Sequence, residues 1–130
     1  MLVCQQGAGI KNTGGTVRVQ NTIIAGNLII SPFARGPECV GTITSPGNNL
    51  VGDASDCDIN FQPNDLTGDP GRGSFVGEGE DDLPGRAYYP VLAGSAVIDR
   101  GNPNACLQTD QLGNLRAGIC DIGAVEFGFR

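Results

Sequence analysis

Short apolar runs alternate with turn-forming residues along this chain of 130 residues. Two of the clearest runs, TVRV at 16–19 and TIIA at 22–25, carry β-branched side chains and are bounded by glycine and asparagine. β-branched residues favour extended backbone, and 21 glycines and 8 prolines are available to end each run. Uninterrupted stretches long enough for a helix are scarce. The pattern therefore predicts an all-β fold of short strands joined by many turns, and it excludes a helical bundle.

The segment 15–27 matches the segment 41–53 at a constant offset of 26 residues, without gaps. A period of this length is typical of a solenoid, in which each unit buries one face on its neighbour. Each unit here resembles one coil of a parallel β-helix with two short strands. Asparagine tolerates left-handed backbone, so the turns of these coils are expected at Asn21, Asn27, Asn48 and Asn49. The alternative is a chance match in a glycine-rich chain, because only two copies are visible.

The length suits one domain, with three regions expected within residues 1–130. Coils with the 26-residue repeat are expected over about 7–54, and acidic loops rich in glycine and proline over 55–86. Strand signals return at 88–92, 96–98 and 119–127. The region 87–127 is therefore expected to supply strands and a C-terminal cap that shields the last apolar layer of the solenoid.

The composition excludes several classes of function. The chain has no histidine, which removes catalytic triads, histidine metal sites and histidine pH switches. Its net charge is -6 with a single lysine, so a nucleic-acid partner is not expected. No apolar run is long enough for a membrane span, and no signal peptide is visible in the first fifteen residues.

Five cysteines lie at positions 4, 39, 57, 106 and 120, without a CxxC pair, which makes a zinc site improbable. Proximity in the chain favours two disulfides, Cys39–Cys57 and Cys106–Cys120, and leaves Cys4 as a free thiol. Two disulfides drawn from five cysteines allow fifteen arrangements, so proximity alone does not decide the pairing. Disulfides would imply an oxidising compartment.

Six segments together resemble the C-terminal end of the choice-of-anchor Q domain proteins. They are NTIIAGN at 21–27, GNNLVGD at 47–53, DP at 69–70, GSAVID at 94–99, DQLGNLR at 110–116 and CDIGAVE at 120–126. Proteins of that family are bacterial surface proteins similar to the polymorphic outer membrane proteins. The resemblance implies a short right-handed, pectin-lyase-like parallel β-helix with a disulfide-tied cap. It also agrees with the cysteine pairs above and implies an extracellular or cell-surface location, whereas members of the family usually have more coils and a secretion signal.

The family-like motifs carry a constellation of charged residues, namely Asp99, Asp110, Arg116, Asp121 and Glu126. The favoured interpretation is structural, with Arg116 forming paired hydrogen bonds to carboxylates and locking the cap. The catalytic alternative assigns Asp99, Asp110, Arg116 and Asp121 to a glycoside hydrolase or a polysaccharide lyase. A fold shared with lyases does not by itself confer their chemistry.

A calcium site is a weaker expectation. Asp53, Asp56 and Asp58 offer oxygen ligands in a loop, but Phe61 and Thr67 stand where a calcium-binding loop of the EF-hand type needs glycine and glutamate. Solvated turn residues are the simpler interpretation, and no cofactor is required.

The sequence is therefore expected to encode a non-enzymatic end module of a β-helix for structure or surface display. The alternatives are a polysaccharide-acting enzyme and a calcium-dependent glycan-binding module, so a polysaccharide is a candidate partner. Only Met1, Leu2, Val3 and Ile10 are available to shield the first coil. An open solenoid end exposes strand edges, so a homo-oligomer formed through the N-terminal end is expected.

Overall fold

The fold is all-β in a computed structural model that describes residues 9–28, 38–77 and 87–128. Its strands are β1 (Ile10–Lys11), β2 (Ile23–Ile24), β3 (Cys39–Ile43), β4 (Leu50–Val51), β5 (Cys57–Ile59) and β6 (Leu66–Thr67). The one helical element among the described residues is a three-residue 3₁₀ turn, Pro103–Ala105. The prediction of short strands joined by turns is confirmed.

The strands form two small parallel sheets of three strands each. Sheet one has the order β1-β3-β5 and sheet two the order β2-β4-β6, so consecutive strands alternate between the sheets. Each pair of consecutive strands therefore makes one layer, and three layers lie side by side. In sheet two, Ile23 lies opposite Leu50, and Leu50 lies opposite Leu66.

The expected constant repeat of 26 residues is wrong. Arg18 lies opposite Thr44, as an offset of 26 requires, but Ile24 lies opposite Val51 and not opposite Leu50. One extra residue in the corner at 45–49 causes the shift, and Gly47 in that corner has a φ of 107°. Between the second and third layers the chain separation falls to 16 residues. The described residues thus form two small sheets and not a solenoid of equal coils, and β5 and β6 lie within the region expected to be loops.

Side-chain ladders connect the three layers at the corner before sheet two. The Thr22 backbone N–H donates to the Asn49 side-chain oxygen at 3.0 Å, and the Asn49 N–H donates to the Asp65 carboxylate at 2.9 Å. The Asn49 side chain is fully buried and also donates to the Val19 carbonyl at 2.9 Å. The backbone groups of Thr22, Asn49 and Val19 are thus satisfied by side chains of a neighbouring layer.

The predicted turn positions are confirmed at two asparagines. Asn21 and Asn48 have positive φ, at 50° and 61°. Asn27 and Asn49 are not among the residues with positive φ. Instead, the Asn27 side chain donates to the buried Glu38 carboxylate at 2.6 Å, and Asn49 takes part in the side-chain ladder between the layers.

Sheet two packs both of its faces into apolar cores, because adjacent strand residues point to opposite sides. Ile24 and Val51 point inward, toward sheet one, and join the inner core with Val19, Cys39 and Ile43. On the other side lies the outer core, a cluster of the buried residues Leu50, Val97 and Ile122 with Ile23 and Leu66 packed against it.

The C-terminal segment, residues 87–128, covers the outer face of sheet two. Ser95 donates to the carbonyl of Pro70 beside the third layer. The Asn48 side chain, in the second layer, donates to the Arg100 carbonyl at 2.8 Å, and Asn102 donates to the Asn21 side chain of the first layer at 2.7 Å. The segment therefore runs along all three layers. The expected cap at the end of the stack is wrong in position, since this segment packs on the apolar residues of the outer face of sheet two.

The strands expected at 96–98 and 119–127 are turns and bends, and the region 88–92 forms only isolated bridges. Glycines with positive φ, among them Gly94, Gly118 and Gly123, interrupt the extended backbone there. The backbone N–H groups of Asp121, Glu126 and Phe127 donate to side-chain carboxylates, so they need no neighbouring strand.

Both disulfides are present, Cys39–Cys57 and Cys106–Cys120. The first joins β3 to β5 within the inner core, and the second closes the loop 107–119 of the C-terminal segment. Cys4, the expected free thiol, lies outside the described residues. Disulfides are characteristic of an oxidising environment.

We expect thiol titration of unreduced, denatured protein to find one free thiol. Reduction of both disulfides is expected to lower the free energy of unfolding by several kcal/mol, since a loop of about fifteen residues contributes roughly 3 kcal/mol per disulfide. Calorimetry with and without reductant measures this change. Five titratable thiols together with an unchanged melting temperature would contradict the pairing.

Candidate functional site

The charged constellation expected from the sequence is brought together in the C-terminal segment. Arg116 and Glu126 form a salt bridge, with side chains that are 7% and 9% exposed. The Glu126 carboxylate also accepts the Asp121 backbone N–H at 3.0 Å, and the Glu126 N–H donates to the Asp110 carboxylate at 3.1 Å. Asp99 joins through its backbone N–H, which donates to the Asp121 carboxylate at 2.8 Å.

The Arg116 guanidinium holds the surrounding backbone in place through hydrogen bonds. Nη1 donates to Glu126 and to the Asp121 carbonyl at 3.3 Å, and Nη2 donates to the Gly123 carbonyl at 2.9 Å. Its Nε is buried without a hydrogen-bond partner among the described residues. An arginine that acts as a general base must accept a proton from a substrate, but here both terminal nitrogens donate hydrogen bonds to Glu126 and to backbone carbonyls.

The carboxylates act as acceptors for backbone groups. Asp110 accepts the N–H groups of Leu112 and Asn114, each at 2.9 Å, in addition to that of Glu126. Asp121 accepts from Phe127 at 2.6 Å with its second oxygen. A carboxylate that holds several N–H groups replaces the partners that a sheet would have supplied.

The two buried carboxyl groups that meet through the Glu126 N–H have pKa values shifted in opposite directions. Burial acts to raise the pKa of Asp110, but its hydrogen bonds from Glu126, Asn114 and Leu112 outweigh burial, so its pKa lies below the ordinary value. Burial raises the pKa of Glu126 above the ordinary value, and the adjacent Asp121 charge adds to this effect. Arg116 acts in the opposite direction without cancelling the rise. The ionised form of Asp110 is therefore favoured by the hydrogen bonds it accepts, whereas burial makes the ionised form of Glu126 less favourable.

The three calcium candidates do not form a site. Asp53 accepts the Ser55 N–H and hydroxyl at 3.0 and 2.6 Å, which lowers the pKa of this exposed carboxyl. The Asp58 carboxylate accepts the Thr42 hydroxyl at 2.9 Å across β3 and β5, and Asp56 has positive φ in the turn between β4 and β5. No group of three or more potential metal ligands occurs within residues 9–28, 38–77 and 87–128.

A cleft of about 840 Å³ opens on the outer face of sheet two, beside the charged constellation. Asp110 and Arg116 line it, whereas Asp99 and Asp121 are not among its lining residues. One wall is formed by Arg72, Phe75, Tyr88 and Tyr89, which the sequence analysis did not single out. The available signal was that the chain has two tyrosines and that they are adjacent, at 88 and 89.

Comparisons with protein-family models, curated proteins and solved structures found no match. The resemblance to the choice-of-anchor Q proteins therefore stays a prediction from the motifs. Within the described part of the chain, no helix is both long and apolar enough to cross a bilayer.

Opposite pKa shifts predict opposite pH dependence for two variants. The lowered pKa of Asp110 means that its contribution to stability is present above its unfolded pKa of about 3.9 and is lost as the pH falls through the folded pKa. The raised pKa of Glu126 means that its contribution is present below its unfolded pKa of about 4.3 and is lost as the pH rises through the folded pKa.

We therefore expect the destabilisation caused by Asp110→Asn to shrink on acidification and that caused by Glu126→Gln to shrink as the pH rises. Melting temperatures of both variants and the unmodified chain, measured between about pH 2 and pH 7, test this expectation. Equal slopes for the two variants would contradict the assignment.

Proposed function

We propose that this chain is a non-enzymatic end module of a right-handed parallel β-helix that serves structure or surface display. Three features support the β-helix: parallel pairing in both sheets, alternation of consecutive strands between them, and side-chain ladders between layers. The family resemblance of the motifs points the same way.

The single observation that carries the non-enzymatic proposal is the commitment of Arg116. Its terminal nitrogens hold Glu126 and two backbone carbonyls, and Glu126 in turn holds the Asp121 N–H. This network fixes the loop that the Cys106–Cys120 disulfide closes. A segment without strands gains from it the rigidity that a sheet would provide.

An extracellular or cell-surface location fits the two disulfides, which are stable in an oxidising compartment. The enzyme alternative has less support, because the carboxylates of Asp110 and Asp121, two of the candidates for catalysis, accept backbone N–H groups. A glycan-binding module that depends on calcium at Asp53, Asp56 and Asp58 has none, since these residues do not form a ligand group.

The structural role predicts that Arg116→Ala lowers the free energy of unfolding by about 3 kcal/mol or more, because Glu126 would remain buried without its partner. Asp110→Ala is expected to destabilise the chain as well, since three backbone N–H groups lose their acceptor. Arg100→Ala is the matched control, since the Arg100 side chain is exposed. Chemical denaturation provides the measurement.

The same variants test the enzyme alternative. We expect neither unsaturated uronates nor new reducing ends from pectin, alginate or xylan incubated with the unmodified chain. A product that Arg116→Ala abolishes while leaving the stability unchanged would overturn the proposal.

The proposed module also pairs with a second copy through its first layer. Within sheet one, β1 is bonded to the β3 segment. The backbone N–H groups of Ile10 and Asn12 donate to the carbonyls of Glu38 and Val40 at 2.9 Å each. Lys11 lies between them, so its backbone N–H points away from β3. This group is suited to extend the sheet into a second copy of the chain.

We expect light scattering to give about twice the chain mass of 13.4 kDa. Lys11→Pro, which removes the edge N–H, is expected to yield monomers, whereas Lys11→Ala keeps that N–H and should remain a dimer. Measurements over a range of concentrations would contradict the pairing if the unmodified chain stayed at the monomer mass throughout.

A further inference from the structure

The cleft on the outer face of sheet two has the size and lining of a small-molecule site. Its volume of about 840 Å³ lies within the usual range for such sites, roughly 300–1,000 Å³. Ile23, Ala25 and Ile122 line it from the region of the outer core. The walls come from two separately held parts, the bridged pairs Arg72–Val91 and Val76–Tyr88 and the disulfide-closed loop 107–119. Both walls are thus fixed without a ligand.

The aromatic wall presents flat surfaces that remain partly open to solvent. The rings of Phe75 and Tyr89 lie 5.1 Å apart and are tilted by 58°, and they are 41% and 46% exposed. The Arg72 guanidinium lies 3.9 Å from the centre of the Tyr89 ring. Arg72 also lies close to Gly26, where an added Cβ would come within 2.8 Å of its Nη2 atom. This stack gives the wall a defined shape.

The polar groups of the cleft divide into committed and available ones. Asp110 and Arg116 are committed to the C-terminal network described above. Among the described residues, the side-chain hydroxyls of Tyr88, Tyr89 and Thr109 have no hydrogen-bond partner, and Arg72 makes no salt bridge. The available groups are therefore hydroxyls and one guanidinium, beside flat apolar surfaces.

We propose that this cleft binds a short saccharide. A sugar ring complements this lining. Its faces of C–H bonds pack on aromatic rings, and the hydroxyls at its edge both donate and accept hydrogen bonds. Arg72 stacks on Tyr89 but forms no salt bridge among the described residues, and the chain as a whole carries -6. This charge balance favours neutral rings, or rings with a single acidic group near Arg72, over a polyanion. The site uses no calcium and no catalytic group, so it is independent of the proposed end-module function.

Tyrosine fluorescence provides a direct assay, because the chain has no tryptophan and its two tyrosines both line the cleft. The probes are cellohexaose, xylohexaose and maltohexaose as neutral saccharides, oligogalacturonate as a polyanion, and a blocked trileucine peptide. We expect at least one neutral saccharide to change the emission saturably, with no effect of EDTA. The proposal is overturned if no saccharide does so, if only the peptide binds, or if EDTA abolishes binding.

Variants place the binding in the cleft. Tyr89→Ala and Arg72→Ala are expected to weaken binding by about fivefold or more, as the loss of one aromatic or guanidinium contact implies. Phe61→Ala is the matched control, since Phe61 is also 41% exposed but does not line the cleft. Ligand-observed NMR measures affinity where a tyrosine is removed, and melting curves check that each variant is folded. Equal affinity of Tyr89→Ala and Phe61→Ala would overturn the proposal.

Discussion

The double-sided apolar character of sheet two is the constraint on which the rest of the structure depends. Its first two strands are each two residues long, and all four residues are apolar: Ile23, Ile24, Leu50 and Val51. Side chains alternate between faces, so such strands are apolar on both sides. Sheet one satisfies the inner side. The outer side needs another cover, because exposed isoleucine and leucine in a row favour aggregation at a sheet of this size.

The C-terminal segment supplies that cover without forming strands of its own. Val97 and Ile122 are fully buried against Leu50, and the chain around them is irregular. Irregular buried backbone needs partners for its N–H and carbonyl groups. Asp110, Asp121 and Glu126 provide acceptors, and Arg116 provides donors. The charged constellation therefore allows irregular backbone to pack Val97 and Ile122 on sheet two. The cleft lies beside this constellation on the outer face of the sheet.

The local features of this chain could be predicted from the sequence because each depends on residues close together. The strand Ile23–Ile24 followed from its β-branched run, whereas the run at 16–19 forms only an isolated bridge at Arg18 and no strand. The positive φ of Asn21 and Asn48 followed from the preference of asparagine. The two disulfides join cysteines separated by 18 and 14 residues, which proximity favoured. These features require no knowledge of the tertiary arrangement.

The features that sequence analysis missed depend on contacts between distant segments. The extra residue at the 45–49 corner changes the strand partner of Ile24 from Leu50 to Val51. A self-match without gaps cannot represent such an insertion. The apolar residues at 96–98 and 119–127 were compatible with strands that close a stack, but the buried partners of Ile122 lie at Leu50 and Val97. The aromatic wall of the cleft likewise forms only when residues 72–76 pair with residues 87–91.

Hydrogen exchange in Ile122→Ala tests most directly whether the C-terminal segment supports sheet two. The substitution removes buried side-chain volume at a cost of about 2–5 kcal/mol, and Leu115→Ala is the control, since Leu115 is 64% exposed. The account predicts faster exchange of the Leu50 and Leu66 amides, which bond across sheet two to Thr22 and Asn49. Faster exchange confined to residues 120–127, with sheet two protected as before, would contradict it.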